Sequence, residues 1–133
     1  MGAWATDSFA NDDALDWLID FVEAPTIEML RDTLEHITNL GADEYLEAPD
    51  CSEAIAAAEI VAALAGTPAA NLPDDLKSWL QTDHGLVAGP LTVIAAAAIA
   101  RIVRDSELMD LWAEGDSNAA WLAEISDLQR RLA

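Results

Sequence analysis

Apolar side chains recur every three or four residues along this chain, and no stretch shows a sustained two-residue alternation of β-branched residues. Ile27, Leu30, Leu34 and Ile37 show the spacing most plainly. This is the period of one face of a helix. Hydrophobic residues make up 53% of the chain and aromatic residues only 6%, so Ala, Leu, Ile and Val supply most of the apolar content, a mixture that favours helices. The sequence therefore predicts an all-α fold.

Capping and helix-breaking residues divide the chain into about six or seven short helices around one core of Ala, Leu and Trp. Asp50 and Glu53 resemble a capping box at the start of the third helix. The predicted helix starts lie at or near Asp12, Thr26, Asp50, Pro73, Pro90, Ser106 and Asp116. A length of 133 residues is common for one domain, so we expect residues 1–133 to form a single helical domain.

Large side chains are needed to fill a core that is so rich in alanine. We expect Trp17, Trp112 and Trp121 to anchor this core. Trp4 and Phe9 lie among small and turn-forming residues ahead of the first helix. We therefore expect residues 1–11 to form an N-terminal arm that packs on the core through these two side chains.

The net charge of −19 arises from 25 acidic residues and 6 basic ones, and the bases are segregated. None precedes Arg31, and none lies between Arg31 and Lys77. Direct nucleic-acid binding is disfavoured, because it depends on cationic contacts to phosphates. An anionic membrane surface is disfavoured for the same reason. A basic protein partner suits this charge, and a solvated or salt-adapted surface is the alternative.

Cysteine content and the pattern of apolar segments lead us to expect a cytoplasmic protein. Cys51 is the only cysteine, which excludes an intramolecular disulfide. The N-terminus lacks the basic and apolar regions of a signal peptide. The longest uncharged apolar run, residues 85–100, is shorter than the roughly 20 residues that span a bilayer, so we expect a buried helix there.

Three segments resemble a bacterial family known as domain of unknown function 4259: "MGAWATDSFANDDALDW", "SEAIAAAEIVAAL" and "DSELMDLW" with a downstream Trp121. The first is the most specific. The family pattern is Gly-x-Trp-Gly-x-Gly-x-Phe-x-Asn-Asp-x-Ala-x-Asp, and the chain departs from it at Ala5 and Asp7. The matching residues are Gly2, Trp4, Phe9, Asn11, Asp12, Ala14 and Asp16. The resemblance implies a small cytoplasmic bacterial protein and brings no activity, cofactor or catalytic residue.

Glu59 stands out because its neighbours three and four residues away are all apolar. A buried carboxylate requires a partner, since an unpaired buried charge costs on the order of several kcal/mol. We predict an ion pair with Arg101 or Arg104, the two bases at the end of an apolar helix. This pair is expected to be structural, with a catalytic carboxylate as the less favoured reading.

Asp12, Asp16 and Asp20 place like charges on one face of the first helix. This stripe is a candidate for partner or cation binding. No zinc-binding spacing of His or Cys occurs, and the acidic surroundings of Cys51 disfavour a nucleophilic thiol. We therefore expect no cofactor, no bound metal and no catalytic residue.

Three accounts remain open, and the third of them is a purely structural, housekeeping helical domain with a salt-adapted surface. The first is a non-catalytic interaction or regulatory module that neutralises a basic partner. The second is a small enzyme or a divalent-metal-binding factor that uses the N-terminal carboxylates or Glu59. The sequence does not indicate the oligomeric state.

Overall fold

A computed structural model describes residues 12–40, 44, 46–67, 72, 74–82, 85–104 and 118–132, with the side chains of residues 12 and 118–120 excepted. Within these ranges all regular structure is helical, as predicted. A 3-10 turn, Gly89–Leu91, leads into the fifth of the six α-helices in this described part of the chain. The helices are α1 (Asp12–Glu23), α2 (Ile27–Thr38), α3 (Ala48–Leu64), α4 (Asp74–Leu80), α5 (Thr92–Arg104) and α6 (Asn118–Leu132).

Helix α3 lies at the centre and packs against α1, α2, α5 and α6. Among residues 51–62, only Glu53 is not buried. Five of these twelve residues are alanines, and their small side chains allow neighbouring helices to approach closely. A helix in this position has no solvent-facing stripe, which explains why α3 lacks the amphipathic pattern of α2. The other helices position their apolar faces against it.

Aromatic rings fill the space between α1 and α4. Trp17 stacks on Phe21 with ring centroids 5.5 Å apart, and Phe21 meets Trp79 edge-on at 5.1 Å. Trp17 also donates from Nε1 to the Thr33 hydroxyl over 3.0 Å, which ties α1 to α2. Thr33 in turn donates to the Met29 carbonyl. The cluster therefore fixes three helices with only a few large residues.

Capping residues are found at the predicted start of α2 and directly after the end of α3. The Thr26 hydroxyl accepts a hydrogen bond from the Met29 amide, which makes Thr26 the N-cap of α2. Gly66 follows the last turn of α3 with a φ of 104°, a conformation that glycine adopts without steric cost. This residue turns the chain away from α3 toward Thr67.

The start of α3 differs from the prediction. The helix begins at Ala48, with Glu47 as an N-cap whose side chain makes no capping bond. Pro49 lies in the first turn, where its missing N–H removes no helical hydrogen bond. Asp50 is consequently inside the helix, and its Oδ2 lies 3.2 Å from Nε2 of His36. The predicted capping box at Asp50 is wrong because proline permits an earlier start.

Several predicted features lie outside the described residues. They include the N-terminal arm with Trp4 and Phe9, the helix near Ser106, and Trp112. Of the tryptophans expected to anchor the core, Trp17 is 7% exposed and Trp121 is 4% exposed. No helix in the described ranges is long and apolar enough to cross a bilayer.

We predict that Ala58→Leu lowers the free energy of unfolding by about 1–3 kcal/mol, because α3 has no free side into which a larger residue can expand. Ala97→Leu is the matched control, since it makes the same change at an exposed position of α5. It should change stability by less than about 0.5 kcal/mol. Urea unfolding followed by circular dichroism measures both. Equal effects would contradict the central placement of α3.

Candidate functional site

A buried ion pair joins the last third of α3 to the end of α6. Glu59 is 2% exposed, and both of its carboxylate oxygens accept hydrogen bonds from Arg131. Arg131 Nη1 lies 2.7 Å from Oε1, and Nη2 lies 3.1 Å from Oε2. This bidentate arrangement matches the planar guanidinium to the planar carboxylate. It compensates the charge of Glu59 inside the helix bundle.

Further contacts hold Arg131 in this position. Its Nε donates to Asp127 Oδ2 over 2.8 Å, and Arg130 donates to the other oxygen of Asp127 over 3.0 Å. The Thr67 hydroxyl lies 3.0 Å from the Arg131 carbonyl oxygen and 3.1 Å from that of Ala62. Thr67 thus connects the end of α3 to the end of α6. Arg131 Nη1 also donates to the Thr67 carbonyl over 3.4 Å, so both its own helix and the neighbouring chain segment orient the guanidinium.

The pKa directions agree with this geometry. Burial by itself lowers the pKa of Arg131, but the hydrogen bonds and charges of Glu59 and then of Asp127 outweigh burial and raise the pKa above its ordinary value. Hydrogen bonds from Arg131 and then Arg130 lower the pKa of Asp127. Both shifts favour the charged forms of Arg131 and Asp127.

Arg131 replaces the partners that the sequence predicted for Glu59. Arg101 is buried on α5, but its Nη2 donates to the backbone carbonyl of Glu44 over 2.6 Å, at the segment that precedes α3. Arg104 is exposed. The assignment of Arg101 or Arg104 as the bidentate partner is therefore corrected. The physical reason is the position of Glu59 in the last third of α3, because the end of α6 packs beside this part of the helix.

One signal in the sequence could have identified Arg131. Among the described side chains of α6, the buried ones are Trp121, Ile125, Leu128 and Leu132. Arg131 lies on the flank of the face they form. A base at the edge of an apolar face is placed to extend its head group to a buried carboxylate. A base in the last turn of a helix also suits the helix dipole, which gives Arg131 a second explanation that needs no buried partner. Spacing within α6 alone does not reveal which residue of α3 it meets.

A second feature is a concentration of carboxylates where α1 packs beside the first half of α3. We call it the acidic α1/α3 surface and define it by Asp13, Asp20, Asp50 and Glu53. Partial burial, then the charges of Asp50 and Asp13, raise the pKa of Glu53; Asp20 adds a weaker contribution in the same direction. The charge of His36 acts in the opposite direction and lowers the pKa of Glu53. Carboxylates from two helices therefore repel one another across a single surface.

The remaining sequence candidates lie as follows. Asp16 and Asp20 are exposed on α1, and the side chain of Asp12 is outside the described part of the chain. Cys51 is fully buried. Across the described residues, no group of three or more His, Cys, Asp or Glu side chains is arranged to hold a metal ion. Both Asp16 and Asp20 thus face solvent, and Asp20 also makes a weak contribution to the raised pKa of Glu53.

We predict that Arg131→Met lowers the free energy of unfolding by about 3 kcal/mol, because it leaves a buried carboxylate uncompensated. The double variant Glu59→Met with Arg131→Met should recover most of this loss, since neither charge then remains. Urea unfolding at pH 7 measures both changes. Arg130→Met is the matched control on the exposed neighbour and should cost less than about 0.5 kcal/mol. Equal losses in Arg131→Met and Arg130→Met would contradict the pairing.

We predict that Glu53→Gln raises the free energy of unfolding at pH 7, by less than about 1 kcal/mol because the side chain is partly solvated. A carboxyl group whose pKa is raised by folding binds its proton more tightly in the folded state. Its charged form is therefore unfavourable at neutral pH, and this cost disappears as the pH falls toward and below the ordinary value of 4.5.

The gain from Glu53→Gln should consequently shrink between pH 7 and pH 4. Asp32→Asn removes one charge from an exposed carboxylate of α2 and serves as the control. Urea unfolding across this pH range is the measurement. A destabilising effect, or a gain that does not change with pH, would contradict the repulsion assigned to this surface.

Comparison with known proteins yields one match. A family model described as a domain of unknown function, DUF4259, matches residues 2–124. No curated protein and no solved structure matches the chain. The matched segment covers α1 to α5 and ends within α6, before Asp127, Arg130 and Arg131. By this match over most of its length, the chain belongs to the DUF4259 family.

Proposed function

We propose that this protein is a non-catalytic interaction module of the cytoplasm, and that its acidic α1/α3 surface binds and neutralises a basic protein partner. The observation that carries the proposal is the packing of α1, which bears the exposed Asp13 and Asp20, against α3, which bears Asp50 and Glu53. Burial, and then the charges of Asp50, Asp13 and Asp20, raise the pKa of Glu53, so these carboxylates repel one another. Such mutual repulsion is unfavourable for the protein alone. A basic partner reduces this repulsion when it binds, and the reduction contributes favourably to the free energy of binding.

The distribution of bases supports the same function. Arg101 and Arg131 are engaged in contacts inside the bundle, so they do not offset the charge of this surface. His36 lies beside Asp50, and its contribution to the pKa of Glu53 ranks below those of burial, Asp50 and Asp13. The surface therefore presents a concentrated negative field, which accelerates encounters with cationic partners.

A catalytic role for Glu59 receives less support from its surroundings. Both carboxylate oxygens accept hydrogen bonds from Arg131, and the side chain is almost entirely buried. A general acid or base requires access to the substrate proton that it transfers. The contacts of Glu59 suit a residue that orders helices.

The test is affinity capture of the tagged full chain in cells that carry its gene, followed by measurement of the dissociation constant for any basic protein recovered. We expect binding to weaken as the NaCl concentration rises, because surface charges are screened. Replacing Asp13, Asp20 and Asp50 by Asn and Glu53 by Gln should weaken binding at least 10-fold.

The control variant removes four negative charges elsewhere, by Glu28→Gln, Asp32→Asn, Asp74→Asn and Asp75→Asn. It should weaken binding less than 3-fold, and circular dichroism checks that both variants fold. Equal weakening would mean that binding follows net charge and not the acidic α1/α3 surface. Failure to enrich any basic protein at low salt would contradict the interaction function itself.

A further inference from the structure

The outward side of α1 combines apolar and acidic side chains in parallel rows. Leu15 is 36% exposed and Ile19 is 54% exposed, although the core takes up almost all other large apolar side chains in the described ranges. Val87 and Val93 are the other exposed cases. Leu15 and Ile19 are one helical turn apart and therefore lie one above the other. Exposed apolar side chains that align in this way are typical of contact surfaces.

The acidic row runs directly beside the apolar row. Asp16 and Asp20 each follow one residue after a member of the apolar pair, and both are exposed. Glu23 continues the acidic side toward the end of α1. We name these five residues the α1 outer face: Leu15, Asp16, Ile19, Asp20 and Glu23. Asp20 also belongs to the acidic α1/α3 surface, so the two surfaces are continuous.

We infer that the α1 outer face docks a basic amphipathic helix of the partner. Such a helix places apolar residues on Leu15 and Ile19 while its Lys or Arg side chains meet Asp16, Asp20 and Glu23. This inference rests on the proposed function and adds the secondary structure and orientation of the bound segment. Charge attraction alone brings the partner near the surface. The apolar row fixes the register in which it binds.

Charge also favours a basic amphipathic helix over two other candidate occupants of the α1 outer face, a second copy of the chain and residues 1–11. A second copy of the chain would use the same face on both molecules and would place Asp16 and Asp20 against their own counterparts. Residues 1–11 contain Trp4 and Phe9 but no Lys or Arg, so they supply no basic side chain for the acidic row. A basic amphipathic helix satisfies both rows at once.

The test uses two synthetic peptides of identical composition and charge, titrated into the full chain. In the first, Leu residues recur at helical spacing beside a row of Lys; in the second, the Leu residues are scattered. We expect the first peptide to bind at least 10-fold more tightly, and amide shift changes on α1 should accompany its binding. Leu15→Ser with Ile19→Ser should remove this preference but leave the salt-dependent binding shared by both peptides.

Two further variants complete the design. Val87→Ser with Val93→Ser removes two equally exposed apolar residues elsewhere and should retain the full preference. Asp16→Asn with Asp20→Asn should weaken the binding of both peptides. A preference that persists in Leu15→Ser with Ile19→Ser overturns the inference. A preference for the first peptide that appears only in the variant Trp4→Ser with Phe9→Ser also overturns the inference, because residues 1–11 would then be the occupant of the α1 outer face.

The outcomes separate this inference from the proposed function. Equal binding of both peptides, weakened by the substitutions on the acidic α1/α3 surface, would reject the α1 outer face and retain the acidic interaction surface. Binding of neither peptide at low salt would count against both.

Discussion

The burial of α3 on all sides is the constraint on which the rest of the structure depends. A helix that four others contact carries mostly apolar side chains, many of them alanines, and any charge buried within it requires compensation. Glu59 is such a charge. Arg131 satisfies it from the end of α6, and Thr67 joins the same two helix ends through the Arg131 carbonyl. One buried carboxylate thus specifies where the last helix must dock, a use of buried ion pairs that favours a unique arrangement over raw stability.

Much of the fold follows from local rules that a sequence displays. Apolar spacing, the Thr26 cap and the glycine after α3 are properties of short segments, and the structure agrees with them. The start of α3 was predicted wrongly because a proline that usually interrupts helices is tolerated in a first turn. The partner of Glu59 could not be derived at all. The partner depends on which turn of α3 lies beside the end of α6. This position is set by three-dimensional packing and cannot be derived from the residue spacing within either helix.

The charge distribution links this architecture to function. The six bases are too few to balance 25 acids, and two of those bases make contacts inside the bundle. Negative charge consequently lies on the outer helices. Burial, and then the charges of Asp50, Asp13 and Asp20, raise the pKa of Glu53 where α1 packs against α3. The same packing that buries α3 leaves Leu15 and Ile19 of α1 exposed beside these carboxylates. A surface with both features suits a partner that is basic and amphipathic, and the internal ion pair keeps the scaffold beneath it in place.

Native-state hydrogen exchange tests the central position of α3 most directly, because it reports the free energy of opening at individual amides. The account predicts that amides between Ala54 and Ala62 exchange more slowly than any others in the described helices, and only through global unfolding. Their opening free energies should therefore equal the free energy of unfolding measured with urea. Amides of α3 that exchange faster than those in the middle of α2 or α5 would contradict the claim that the other helices are organised around α3.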